Sequence, residues 1–157
     1  MTTTPMSRLA IAAAVCACAS LAAAQTGDPL DGTWQLNVAR SKYATAAPPK
    51  SQTTTLRAVE GGLAEQVERL NADGTTPRWE VTAKYDGRDY PVAGDPSRDT
   101  VAMTRRDQRT VDIVNKKAGA VVSRMRIAVA PDGRSRTNTV MDPSGQKTTA
   151  TMIFDRR

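Results

Sequence analysis

Apolar and polar residues alternate in short runs along the chain beyond residue 25, and helical periodicity is scarce there. The clearest run is 79–85, in which apolar or aromatic residues occupy the odd-numbered positions. Alternation with a period of two puts such residues on one face of a β-strand, so we expect this set to point to an interior. By the same rule, we expect inward side chains at Val101, Met103, Val111, Ile113, Val121, Met125, Ile127, Val129, Ala150, Met152 and Phe154.

Turn residues separate these runs at regular intervals. Pairs such as Asp73-Gly74 and Asp86-Gly87 supply a residue that tolerates positive φ, which is typical of a hairpin. The runs between the turns have the length of strands. The predicted strands span residues 33–38, 51–59, 63–70, 77–85, 88–92, 99–105, 109–116, 120–130, 134–141 and 147–155.

The fold class follows from this series of short strands with local connections and no helical layer. Closure into a barrel removes the exposed edges that an open sheet would leave. We therefore predict an all-β, antiparallel up-and-down meander barrel of about 8–10 strands. The long connection 39–50 is predicted to form either one helical turn, starting near Asn37 or Ser41, or a loop. Strands 51–59 and 63–70 alternate poorly, and no register is predicted for them.

The N-terminal residues have the pattern of an export signal. Arg8 precedes an apolar, alanine-rich stretch that ends in Ala22-Ala23-Ala24, a small-residue cleavage site. This stretch is shorter than the roughly 20 apolar residues that span a bilayer. We expect a signal peptide at 1–24, a flexible segment at 25–31, a barrel domain at 32–157, and a periplasmic or secreted protein.

Both cysteines, Cys16 and Cys18, fall inside the predicted signal. Cleavage before Gln25 would leave no thiol, so the core must stabilise the fold without a disulfide. The alternative is lipoprotein processing, because residues 15–18 loosely resemble a bacterial lipobox. In that case the protein would be anchored by a lipid on Cys18.

The composition restricts the chemistry. The sequence of 157 residues contains no histidine and has a formal net charge of +6. Histidine-activated nucleophiles and histidine-ligated zinc are therefore excluded. No pair of carboxylates lies in a recognisable desolvating cleft, which acid–base catalysis would require. We expect no catalytic residue, no metal site and no cofactor.

The basic residues are concentrated in the C-terminal part of the chain. Residues 100–157 contain twelve basic and five acidic side chains. One interpretation is a binding surface for an anionic lipid or an acidic envelope partner; the other is an ordinary solvated face. Nucleic acid is not expected as a partner, since export would separate the protein from it and aromatic residues for base stacking are scarce in this part of the chain. The basic surface is predicted to include Arg124, Arg126, Arg134 and Arg136, with Arg105, Arg106 and Arg109 nearby.

The segment Gly32-Thr33-Trp34 resembles the G-x-W signature of the calycin superfamily, which contains the lipocalins and the fatty-acid-binding proteins. With Ser41-Lys42-Tyr43 and the run from Trp79 to Val92, it resembles a group of small secreted bacterial lipocalin-like proteins. The resemblance implies that Trp34 plugs one barrel end, with Arg156 or Arg157 packed over it. The lipocalin middle motif is absent, and residues 151–154 do not match the carboxylate-gripping pattern of fatty-acid-binding proteins.

Two hypotheses of function remain open at this stage. The first is a monomeric barrel that binds a small apolar or amphipathic molecule, with anionic molecules included. Its predicted lining is Trp79, Tyr85, Met103 and Met125. The second is a non-catalytic envelope scaffold with a filled barrel and a basic outer surface. A void of several hundred Å³, the order of size typical of ligand pockets, would favour the first.

Intact mass spectrometry of the protein from an expressing bacterium tests the processing prediction. We expect a single species that starts at Gln25 and carries no lipid, because the alanine-rich site fits signal peptidase better than the lipobox fits its acceptor. A species that starts at a diacylglyceryl-modified Cys18 would contradict this prediction.

Overall fold

The computed structural model describes residues 27–157, and the predicted signal with Arg8, Cys16 and Cys18 lies outside the described residues. The described part contains ten β-strands, whose positions agree with the predicted ones to within two residues, except at the end of the first. The strands are β1 (Gly32–Tyr43), β2 (Ser51–Val59), β3 (Gly62–Leu70), β4 (Arg78–Lys84), β5 (Asp86–Ala93), β6 (Thr100–Arg105), β7 (Thr110–Lys117), β8 (Ala120–Val129), β9 (Ser135–Met141) and β10 (Thr148–Arg156).

The ten strands form a closed antiparallel barrel. Each strand pairs with its neighbour in the chain, and β10 returns to pair with β1. The up-and-down meander is therefore confirmed. Closure gives every strand two partners, so no edge is left open to pair with another chain. The described residues contain no helix that is long and apolar enough to cross a membrane.

Alternation along the strands assigns the two faces of the barrel. In β4, Trp79, Val81 and Ala83 are buried, whereas the residues between them are exposed, as predicted. In β2 and β3, which have no clear sequence pattern, the buried residues include polar ones such as Gln52 and Glu65. The inner face of the barrel is therefore not wholly apolar.

The first strand is longer than the sequence predicts. β1 continues to Tyr43 through an irregularity in its pairing with β10 between Asn37 and Lys42. Ser41 stabilises this bulge, because its hydroxyl donates to the carbonyl of Asn37 (2.7 Å) and accepts from the amide of Ile153 (2.9 Å). The helical turn considered near Asn37 or Ser41 is thus wrong, and the connection reduces to residues 44–50.

One end of the barrel is closed by Trp34, which is fully buried. Its Nε1 donates to the carbonyl of Leu30 (3.0 Å), and the guanidinium of Arg156 lies 4.2 Å from the centre of its ring system. Arg156 also donates to the carbonyls of Pro29 and Gly133. Gly32 has a φ of +129°, and a Cβ there would lie 2.6 Å from Arg156 Nη1, so only glycine leaves room for this guanidinium.

Residues 27–31 pack across the same end, which we call the closed end. In this segment, for which the sequence predicts flexibility, Leu30 is fully buried beside Trp34 and Asp28 forms an ion pair with Arg105. Burial acts to raise the pKa of Asp28. Hydrogen bonds from Arg105 and the Leu30 amide, together with the charge of Arg105, outweigh it and hold this pKa below its usual value.

We expect the substitution Asp28→Asn to destabilise the protein by about 1 kcal/mol at neutral pH, since it removes a charge-assisted pair at a partly exposed site. A carboxyl with a lowered folded-state pKa stabilises above its unfolded pKa, near 3.9, and this contribution is lost as pH falls through the folded value. The difference from the native chain should therefore begin to shrink as pH falls below about 4 and be lost once pH is below the folded-state pKa. Urea denaturation over a range of pH measures it.

The control for this experiment is Glu60→Gln, in the exposed turn between β2 and β3. Glu60→Gln should leave the free energy of unfolding unchanged at every pH. A pH-independent loss in the Asp28→Asn protein would contradict the ion-pair explanation.

Candidate functional site

A cavity of about 470 Å³ opens at the end of the barrel opposite Trp34, which we call the open end. It is bordered by the connections 71–77 and 94–99 and by inward side chains of several strands. Its lining combines thioether, aromatic and polar groups. The principal lining residues are Gln52, Glu65, Arg69, Trp79, Asp95, Arg98, Asn115, Val122, Ser123, Met125, Asn138, Val140 and Met152.

Trp79 forms one wall of this cavity between two arginines. The guanidinium carbons of Arg69 and Arg98 lie 4.8 Å and 5.9 Å from the centre of its ring. Such stacking is favourable because the face of an indole carries partial negative charge. The Nε1 hydrogen of Trp79 has no acceptor among the described residues, although the atom is buried. The site therefore contains an indole donor that is free to bind an acceptor.

The connection after β5 brings Arg98 into the barrel. Gly94 has a φ of +87°, and a Cβ there would collide with the carbonyl of Arg78, so the backbone of the connection can approach β4 only with glycine at this position. Asp95 then accepts from the amide (2.9 Å) and the hydroxyl (2.6 Å) of Ser97, which fixes a tight turn. Arg98 follows this turn and is 8% exposed.

All three nitrogens of the Arg98 guanidinium face a polar partner. Its Nη1 donates to Asn115 Oδ1 (2.6 Å), and its Nη2 lies 3.8 Å from Glu65 Oε2. Its Nε lies 3.0 Å from Asp95 Oδ2, an ion pair whose angles fall outside those of a hydrogen bond. Arg98 thus compensates two carboxylates that the barrel takes out of water.

Arg69 has fewer partners. Its Nε donates to Gln52 Oε1 (2.8 Å), and its terminal nitrogens make no hydrogen bond within residues 27–157. Burial lowers the pKa of Arg69, while Tyr43, Asp95 and Glu65 act to raise it and Arg98 acts to lower it. The guanidinium remains charged at neutral pH because its ordinary pKa is far higher.

The charges inside the barrel do not balance. Three guanidiniums face the interior, those of Arg69, Arg98 and Arg136, whereas the inward carboxylates of the described strands and connections are those of Glu65 and Asp95. One positive charge therefore has no counterpart there. In a poorly hydrated cavity this excess attracts an anionic group more strongly than it would in water.

Two of the four predicted lining residues border this cavity. Trp79 and Met125 line it, whereas Met103 is fully buried in the core outside the cavity and Tyr85 packs under Arg105 at the closed end. Burial raises the pKa of Tyr85 to about 12. Alternation identifies an inward residue but not its depth, which is why the sequence placed all four together.

Three of the four arginines predicted for the basic surface lie on the outside of the barrel. Arg126 is exposed and pairs with Asp112 (2.7 Å), Arg124 donates to the carbonyl of Pro143 (2.9 Å), and Arg134 is exposed. Arg136 is 1% exposed, so its assignment to the surface is wrong. The physical reason is the phase of β9, in which Arg136 and Asn138 point inward and Thr137 and Thr139 point outward.

The polar residues of the cavity are those that the sequence analysis did not identify. Glu65 could have been found, because it is in phase with Leu63 and Val67, both buried. Arg98 gave no such signal, since it belongs to a connection rather than a strand.

Comparison with protein-family models gives no match, and comparison with curated proteins gives none either. The architecture is compatible with a lipocalin-like fold. Among residues 27–157, no group of three or more histidine, cysteine, aspartate or glutamate side chains is arranged to hold a metal ion.

We expect Arg98→Met to destabilise the protein by about 3 kcal/mol, because it removes the ion-pair partner that the carboxylates of Glu65 and Asp95 have within 4 Å. The double variant Arg98→Met with Glu65→Gln should recover part of this loss. Thermal and urea denaturation measure both changes.

The matched control is Arg106→Met on the outer surface. Arg106 pairs with Asp112 (2.6 Å), but it is largely exposed, and Asp112 keeps its second partner Arg126. Its loss should cost less than about 1 kcal/mol. Equal effects of Arg98→Met and Arg106→Met would show that the inner network has no special importance.

Proposed function

We propose that this protein is an exported, lipocalin-like binding protein whose open-end cavity takes a small amphipathic molecule with an anionic group. The observation that carries the proposal is the cavity itself, in which an excess positive charge lies beside apolar side chains. Its volume of about 470 Å³ is in the range of small-molecule sites.

The two halves of such a ligand would meet different parts of the lining. Met125, Met152 and Val140 offer apolar and adaptable contacts, which suit a hydrophobic body. The terminal nitrogens of Arg69 and the Nε1 of Trp79 offer donors without acceptors. A ligand with hydrogen-bond acceptors and a negative charge satisfies both features, whereas a purely apolar ligand would leave the donors unpaired at a cost.

The lipocalin-like assignment is supported by the geometry of the closed end. The G-x-W segment places Trp34 as the plug, and of the two candidate arginines it is Arg156 that lies over its ring. Export is supported by the pattern of residues 1–24 in the sequence.

The outer surface supports the scaffold hypothesis less well. Asp112 partly neutralises it, because this carboxylate pairs with both Arg106 and Arg126. A void of this size is also not what a filled scaffold requires. Binding inside the barrel is therefore the better explanation.

Calorimetric titration with a matched pair of probes tests the proposed function. Anilinonaphthalene sulfonate is an amphipathic anion, and N-phenylnaphthylamine has the same aromatic body without the sulfonate. We expect the anion to bind at least about tenfold more tightly, because the uncompensated guanidinium favours it. Failure of both probes to bind, or tighter binding of the neutral probe, would overturn the proposal.

Two equally exposed valines provide a test of whether the ligand binds at the open end. Val122 borders the cavity and Val59 lies at the closed end, and each is 38% exposed. Val122→Glu should weaken binding of the anion about three- to tenfold at low salt, through repulsion at the mouth. Val59→Glu should leave it unchanged, and equal effects would contradict the location.

A further inference from the structure

Arg136 is a charged side chain in the core with no hydrogen-bond partner. It is 1% exposed, and its Nε, Nη1 and Nη2 atoms have no acceptor among the described residues. Buried polar groups in folded proteins nearly always have a partner, and an unpaired buried charge is among the most destabilising features a core can have. A core that needed only to be filled would have an apolar residue here.

The surroundings of Arg136 stabilise its charge without accepting its hydrogens. Its guanidinium carbon lies 4.4 Å from the ring centre of Phe154 and 5.4 Å from that of Trp34. Stacking satisfies the faces of the guanidinium, whereas its N–H groups lie in the plane and point past the rings. Burial lowers the pKa of Arg136 to about 10, and the charge of Glu65 acts against this. The group is therefore protonated at neutral pH.

Arg136 lies directly beneath the floor of the open-end cavity. It precedes Asn138 by two residues on the inner face of β9, a step of about 7 Å along a strand. Asn138 lines the cavity, and its Oδ1 has no partner, while its Nδ2 contacts Met125 Sδ at 3.6 Å. Met152 is opposite Asn138 in β10, and Phe154 is opposite Arg136. The floor thus consists of flexible side chains, which can move aside.

We propose that Arg136 is the anchor of an interior subsite for a single carboxylate or comparable monoanion, which enters the barrel acid group first. This inference rests on the proposed function, and it names the residue that binds the anionic group of the ligand and the orientation in which the ligand binds. The apolar body of the ligand would remain in the cavity against Met125 and Met152.

Two features favour Arg136 over Arg69 as the residue that binds the anionic group. Arg69 borders the open cavity, so water can reach its terminal nitrogens, and an anion that binds there replaces hydration that already exists. Arg136 is 1% exposed, so bulk water does not reach its terminal nitrogens and an acceptor gains more at this position. The interior also has one uncompensated positive charge, which matches one negative charge on the ligand.

The experiment compares phenylbutyrate with phenylbutanol, which differ only in the acidic group. For the Arg136→Met protein we expect an affinity for phenylbutyrate at least about 30-fold lower, and an affinity for phenylbutanol within about twofold of the native value. In the absence of ligand, the midpoint of thermal unfolding should be equal or higher, because the variant removes an unpaired buried charge. Arg69→Met should reduce phenylbutyrate affinity less than about tenfold.

Fluorescence supplies a second measurement that does not need the arginine variant to fold. In the Trp79→Phe protein the remaining indole is Trp34, which lies 5.4 Å from the Arg136 guanidinium. Phenylbutyrate should shift or quench the Trp34 emission and phenylbutanol should not, because only an anion at Arg136 changes the field at this ring.

The outcomes separate this inference from the proposed function. One result would be an unchanged affinity of Arg136→Met for phenylbutyrate together with a loss of affinity in Arg69→Met. The anion would then bind at the mouth of the barrel, which supports the proposed function and overturns the interior subsite. The subsite is also overturned if the Trp34 emission does not change when phenylbutyrate is bound. The same holds if Arg136→Met unfolds at a lower temperature than the native protein and binds phenylbutyrate with unchanged affinity. If neither compound binds the native chain, the proposed function fails with it.

Discussion

A closed barrel has one interior, and every second residue of all ten strands must share it. This constraint decides the rest of the structure, because a polar side chain on the inner face has no route to bulk water except through an end of the barrel. At the closed end, Trp34, Leu30 and Arg156 remove that route. Several polar inward residues lie toward the open end, where Glu65 and Arg98 form an ion pair and a cavity remains, whereas Arg136 lies deeper, beside Trp34 and Phe154.

Arginine has three distinct roles within this one interior. Arg156 is bound to backbone carbonyls and packs over Trp34, so its role is structural. Arg98 neutralises buried carboxylates. Arg136 has neither kind of hydrogen-bond partner, and this contrast within one barrel is the reason for which we propose it as an anion-binding residue. The guanidinium suits all three roles because it stacks on aromatic rings, donates several hydrogen bonds from one plane and stays charged when buried.

The sequence predicts the fold well, because the alternation and the turn pairs are local properties, and closure follows from the need to leave no edge unpaired. The inward phase of β4 is visible in the odd-numbered positions from Trp79 to Ala83, and the turn pairs mark where each strand ends. The plug is also predictable from Gly32-Thr33-Trp34.

The cavity is less predictable, for two physical reasons. In β9 both faces are polar, so no hydrophobic pattern distinguishes the inward Arg136 from Ser135 and Thr137 on either side of it. Arg98 enters the barrel from a connection, where no period applies and only Gly94 marks the unusual backbone.

The placement of residues 27–31 and of the last strand sets the orientation of the molecule. The segment at Asp28 and the amide of Arg157, which donates to the carbonyl of Thr33, both lie at the closed end. A domain fused directly at Gly27 or at Arg157 would therefore be attached at the closed end. The open-end cavity would then face away from the attachment point and remain accessible to solutes.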